Sequence, residues 1–216
     1  MKRLLEIEYP SFHHLNRKII VNEEEYFSDF TVTDKKSCTD CKNKTPDSYN
    51  QCYDKIVLKV STTEKVKLIS LENYFQQYSN KKGIISGGTC DYLLYGQEKI
   101  VFAELTCCRP IYLYSRIVNG KLKEGKRSKV EKQIGDTIER LSVCPKISER
   151  IASYNEKIAI FSLRKKESAF DNTDEGIKSM NSFMRMTNEQ TKIGITQQMK
   201  NGFNLIVNEY PQAYQW

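Results

Sequence analysis

Two carboxylates stand where carboxylates are seldom placed. Asp91 opens the apolar run Tyr92-Leu93-Leu94, and Glu104 closes the run Ile100-Val101-Phe102-Ala103. A charge inside such a run is costly unless something pairs with it. The two runs are joined by Tyr95-Gly96-Gln97-Glu98, which reads as the connection of a β-hairpin. Side chains alternate along a strand, so Glu104 and Thr106 share a face. If Leu94 pairs with Lys99, Asp91 lies opposite Phe102 and is a diagonal neighbour of Glu104, roughly 7–8 Å away between backbones. Carboxylates that close repel unless one is protonated or a cation bridges them. An all-oxygen ligand pair suits Mg²⁺ or Mn²⁺, which keep several waters and bind substrate phosphate alongside one or two carboxylates. Such an ion activates water and stabilises charge on a phosphodiester. The plainer alternative is a pair of strand-end acids neutralised by lysines.

A second constellation is Cys38-Thr39-Asp40-Cys41, followed after ten residues by Cys52. Two thiolates at C-x-x-C spacing with a third nearby can bind Zn²⁺, but a closed structural site needs a fourth ligand. His13, His14 or a later cysteine would have to supply it. The other reading is free or redox-labile thiols. Seven cysteines, spread through a chain with no export signal, favour reduced thiols over a disulfide framework.

The elements that must position the acids are partly legible. Val130, Ile134, Ile138 and Leu141 form one helical stripe, Ser128 and Glu131 have capping-box spacing, and Pro145 marks the end. Gln133 borders that stripe, and Lys129 lies one turn before it. Lys157 to Leu163 reads as a buried strand, Tyr53 to Val60 as a strand, and Lys18 to Val21 as a short one. Leu68, Leu71, Phe75 and Tyr78 suggest a helix over Val66 to Tyr78 with Thr63 as its cap. Ile147 to Tyr154 suits a short helix, and so does a segment carrying Ile177, Met180, Phe183 and Met184. Glu23-Glu24-Glu25 reads as a solvated acidic run, and Asn201-Gly202 as a turn. Mixed strands and helices predict an α/β or α+β fold, with a central mixed sheet flanked by helices. Residues 1–60 are expected as an N-terminal region with the cysteine loop, packed on a core of 61–216.

Asp91, a dozen residues, then Glu104-Leu105-Thr106 resembles the core motif of the PD-(D/E)XK nuclease superfamily. The chain is most similar to small members that run Cys-Asp-Tyr-Leu-Leu, a short turn, then an apolar strand ending Glu-Leu-Lys. Cys90-Asp91-Tyr92-Leu93-Leu94 and Val101-Phe102-Ala103-Glu104-Leu105 match these parts, and Gln133-Ile134 with Thr137-Ile138 matches the helix that follows. The resemblance covers about residues 64 to 165. It implies a restriction-endonuclease-like core, Asp91 and Glu104 as ligands of Mg²⁺ or Mn²⁺, Gln133 assisting from the helix, and hydrolysis of nucleic acid. Glu72 is a candidate for a further acid. The motif lysine is replaced by Thr106, whose hydroxyl can hydrogen-bond a water but carries no charge. Either a lysine from elsewhere takes that role, with Lys129 best placed, or the fold serves as a catalytically silent accessory of a defence or mobile-element system.

Composition agrees with a nucleic-acid partner without compelling it. The net charge is +7, from 34 basic and 27 acidic residues that are well mixed. Lys121, Lys123, Lys126, Arg127 and Lys129 form a basic connection suited to phosphates. The expected partners are nucleic acid and, in the silent reading, a protein partner or a second copy of the chain. A zinc-stabilised nucleic-acid-binding module built on the three cysteines is a further alternative. No apolar run approaches the roughly 20 residues of a membrane span. Glu6 and Glu8 interrupt the basic-then-apolar start too soon for a signal peptide. A cytoplasmic protein without membrane association is expected.

Overall fold

In the computed structural model, Ile100-Val101-Phe102-Ala103 becomes the middle of a sheet covered on both faces. The structure describes residues 1–33, 57–78, 87–108, 112–113, 115–118, 121–165, 197–199, 201–209 and 211–216. A π-helical stretch, Leu4–Glu8, runs into α1 (Tyr9–Phe12). Then come β1 (Glu23–Tyr26), β2 (Phe30–Thr33), β3 (Val57–Ser61), β4 (Val66–Ser70) and α2 (Leu71–Gln76). The hairpin strands are β5 (Tyr92–Tyr95) and β6 (Lys99–Cys108). A small ribbon, β7 (Arg116–Val118) and β8 (Lys121–Lys123), leads into α3 (Lys126–Ser142) and α4 (Pro145–Ala152). The chain ends with β9 (Glu156–Lys165), β10 (Gln197–Gln198), β11 (Asn204–Glu209) and β12 (Ala213–Gln215).

Seven strands form a mixed sheet in the order β1-β4-β5-β6-β9-β11-β10, so the expected α/β architecture is what the chain adopts. Strands β1, β4, β5 and β6 pair antiparallel, whereas β6, β9 and β11 are parallel neighbours. A parallel pair needs a long crossover, and α3 with α4 supplies it between β6 and β9. The apolar stripe of α3 packs with Leu93, Phe102, Phe161 and Leu205 on one face of the sheet. On the other face, Leu94, Val101, Ala103, Leu105 and Ile160 meet Phe30, Val32, Leu58, Val60 and Tyr214. Those partners belong to a second sheet, β12-β3-β2. Helices, seven-stranded sheet and three-stranded sheet therefore stack as three layers. Burial on both sides explains why β6 and β9 read as continuous apolar runs.

Several local expectations are corrected. Val66 to Ser70 is a strand, because it pairs with β1 on one side and β5 on the other, and the helix begins only at Leu71. Its cap is Ser70, whose side chain accepts from the Asn73 amide, and not Thr63. The acidic run is exposed at Glu24 and Glu25, as expected, and it also forms an edge strand: Glu23 and Glu25 lie opposite Ile69 and Lys67, and Lys67 bridges both carboxylates at 2.9 and 3.0 Å. Lys18 to Val21 is not a strand. Helix α3 starts at Lys126, and its cap position is Gly125, which has no side chain to accept a capping hydrogen bond; Ser128 and Glu131 therefore form no capping box. No helix among the described residues is long and apolar enough to cross a membrane. The segment carrying Ile177, Met180, Phe183 and Met184 lies outside the described residues.

Candidate functional site

The hairpin register decides how the two acids meet. Leu94 pairs with Val101 and Tyr92 with Ala103, two residues away from the expected Leu94–Lys99 pairing. The Gly96 amide donates to the Lys99 carbonyl at 2.9 Å, so the loop narrows to Gln97-Glu98, closed between Gly96 and Lys99. A shift of two residues preserves the face of every side chain but moves each along the partner strand. One step beyond Tyr92–Ala103, Asp91 comes level with Glu104 and not with Phe102. The acids are therefore directly opposed, on the side of the sheet that α3 covers. Strand β6 continues past the end of β5 from Glu104 onward, so the pair sits where the ladder stops.

Both side chains are 7% exposed. Asp91 Oδ2 accepts the Leu105 amide at 2.8 Å, which continues the β5–β6 ladder through a side chain. The Asp91 carbonyl accepts the Leu71 amide at 2.9 Å, which ties the start of α2 to the same segment, but Glu72 does not join Asp91 and Glu104 in a cluster of three acids. Glu104 Oε1 accepts from Gln133 Nε2 at 3.1 Å. Thus Gln133, expected to assist from the helix, does reach the acid pair. Thr106 is two residues further along the same face, buried, and opposite Leu163 of β9. Lys129 is exposed on the first turn of α3. Its place one turn before Gln133 holds, but it is a solvent-facing cation.

The segment before Asp91 is strapped onto α3 by Thr137, noted in the sequence only as part of a motif, and by Asp136 and Arg140, which sequence reasoning passed over. Asp136 Oδ2 accepts the Gly88 amide at 3.2 Å, and Thr137 Oγ1 accepts the Cys90 amide at 2.9 Å. Arg140 donates to Thr89 Oγ1 at 2.7 Å and to the Gly88 carbonyl at 2.9 Å. Its guanidinium also lies 4.8 Å from the centre of the Phe75 ring. Burial loosens its proton, yet an arginine remains charged under any ordinary condition. Gly88 passes so close to the helix that a Cβ there would lie 2.4 Å from Gln133 Cγ and 3.0 Å from its Cα. Gln133, Asp136, Thr137 and Arg140 stand at i, i+3, i+4 and i+7 beside the apolar stripe. That polar stripe, facing a Gly-Gly pair, was the available signal.

Cys90 is fully buried beneath the pair. Burial pushes its thiol well up, and the Glu104 and Asp91 carboxylates push in the same direction. It is therefore a neutral thiol and not a nucleophile at ordinary pH. Among the described residues, no three His, Cys, Asp or Glu side chains converge. Cys38, Cys41 and Cys52 lie outside the described residues. At the far end of the hairpin is a cavity of about 1190 Å³, lined by Lys67, Tyr95, Lys99, Arg150 and Trp216 among others. Neither acid of the pair lines it. No family model, curated protein or solved structure matches the chain.

Proposed function

We propose that the chain is a metal-dependent, nuclease-like protein acting on nucleic acid, with Asp91 and Glu104 as the ligands of Mg²⁺ or Mn²⁺. The observation that carries this reading is the direct opposition of two nearly buried carboxylates at the end of a ladder. Two carboxylates held that close favour a cation between them. Asp91 accepts from the Leu105 amide and Glu104 from Gln133, which orients both carboxylates. The donors are all oxygen, as a hard divalent cation prefers. When bound, such an ion supplies an activated water and charge stabilisation at a phosphodiester.

The chain's own residues do the positioning. Gln133 holds the Glu104 carboxylate in one rotamer, and the Leu105 amide does the same for Asp91. Thr106, on the Glu104 face, offers a hydroxyl that can orient a water by hydrogen bonding. With no charge at that position, Thr106 would contribute orientation only, and any cationic help from the protein would have to come from the exposed lysines of α3.

A second reading is favoured by one specific contact. Because Asp91 extends the ladder through Leu105, the carboxylate also has a structural use, and a silent accessory protein would keep it. Calorimetric titration with Mn²⁺ separates the two. The wild type is expected to bind one ion, and Asp91→Asn and Glu104→Gln to weaken binding at least tenfold. The asparagine retains an acceptor for the Leu105 amide, so Asp91→Asn keeps the fold while losing the charge. Absence of binding by the wild type, or equal binding by both variants, contradicts the metal site.

A further inference from the structure

The β7–β8 ribbon is a separate two-stranded sheet that pairs with no other described strand. Ile117 lies directly opposite Leu122, and both are 76% exposed. Lys121 and Lys123 flank Leu122 and are exposed, and in the register Arg116 stands opposite Lys123. The ribbon is anchored at its base, where the Gly125 amide donates to Ser115 Oγ and the Arg127 amide to the Leu113 carbonyl. It leaves from the end of β6 that carries Glu104 and feeds α3 two turns before Gln133. Further exposed cations, Lys126, Lys129 and Lys132, continue along the helix. An isolated ribbon is at best marginally stable in water, and an exposed cross-strand apolar pair adds to the cost of leaving it uncovered.

We propose that this ribbon enters the major groove of duplex DNA. That groove is about 12 Å wide and admits a two-stranded β-ribbon. Lysines beside the apolar pair suit the phosphates that rim the groove, and Ile117 with Leu122 suits the thymine methyl groups on its floor. The A-form major groove of duplex RNA is too narrow for such an element. Two apolar side chains are too small a patch for a stable protein interface, which makes the flanking charge the deciding feature. The choice of partner class rests on the reading of the acid pair as a nucleic-acid site.

The test is fluorescence anisotropy with a labelled duplex DNA and a duplex RNA of the same sequence. It is run without divalent metal over a range of salt concentrations. The wild type is expected to bind the DNA at least tenfold more tightly than the RNA. Lys121→Gln/Lys123→Gln is expected to lower the salt slope by about two, one for each phosphate that a lysine no longer neutralises. Ile117→Ser/Leu122→Ser is expected to weaken DNA binding at least fivefold with the slope unchanged. Equal binding of RNA, or DNA binding indifferent to both double variants, overturns the proposal. So does ribbon-dependent binding to phosphatidylserine vesicles in place of DNA, or a dimer in sedimentation that Ile117→Ser/Leu122→Ser dissociates. Ribbon-dependent DNA binding without metal-dependent cleavage removes the acid-pair reading and leaves the ribbon standing. Cleavage that survives both double variants with unaltered DNA affinity does the reverse.

Discussion

At the scale of single residues, the site depends on hydrogen bonds that hold the approach to Asp91 rather than on the acids alone. Thr137 is fully buried, accepts the Cys90 amide and donates to the Gln133 carbonyl at 2.7 Å. Thr137→Val keeps the shape but strands the Cys90 amide in an apolar setting. That should cost about 1–3 kcal/mol, the usual penalty for a buried donor without a partner. Urea denaturation measures it, and a loss below about 0.5 kcal/mol would show that the segment relaxes to find another acceptor. The acids themselves were legible, because a carboxylate inside an apolar run is conspicuous. Asp136 and Arg140 were not, and the bonding of Thr137 was not, because a polar residue on an amphipathic helix looks like an ordinary solvent-facing one until its partner segment is known.

At the scale of elements, legibility followed the number of competing partners. Helix α3, apart from its start, and strand β9 have one apolar pattern each and appear where the sequence places them. Strand β4 does not, because Leu68, Leu71, Phe75 and Tyr78 fit a helical period although the first belongs to a strand and the rest to α2 and its exit. Pairing with β1 and β5 overrides local preference there. Strand β1 was hidden for another reason: three successive glutamates do not suggest a strand until Lys67 is placed beside Glu23 and Glu25, and Lys65 beside Glu25. Ribbon β7–β8 was hidden because Lys121 to Lys129 reads as a basic connection, although Lys121–Lys123 pairs with Arg116–Val118. The contact between α3 and the segment before β5 gives a prediction at this scale. Gly88→Ala should destabilise the protein by about 1–3 kcal/mol, because its Cβ meets the backbone of Gln133 as well as a movable side chain. It should also displace Gln133 from Glu104 and weaken any Mn²⁺ binding in the calorimetric titration. Unchanged stability and metal affinity together would mean that helix and strand are not tightly coupled.

At the scale of the whole molecule, tyrosines are distributed through both faces of the sheet, and their phenols are held neutral by burial. Tyr26, Tyr78 and Tyr214 are each pushed up to about 12, with burial the leading cause in every case. Tyr9, Tyr74 and Tyr95 are pushed further still, again chiefly by burial. A phenol raised above its unfolded value of about 10 binds its proton more tightly in the native state. Its contribution is full below about pH 10 and is lost as pH rises towards the folded value. Stability should therefore fall between about pH 10 and pH 12, with phenolate absorbance and loss of circular dichroism rising together. Independent titration of these tyrosines near pH 10 with the fold intact would contradict the packing described. The same three-layer packing fixes Asp91, Glu104 and Gln133 in one place, and the proposed activity follows from that juxtaposition. It is tested most directly by incubating labelled DNA and RNA with Mg²⁺ or Mn²⁺ and either the wild type or Glu104→Gln. Cleavage by the wild type that falls at least a hundredfold in the variant is the predicted result. Equal cleavage by both, or none by a wild type shown to be folded, would contradict the account.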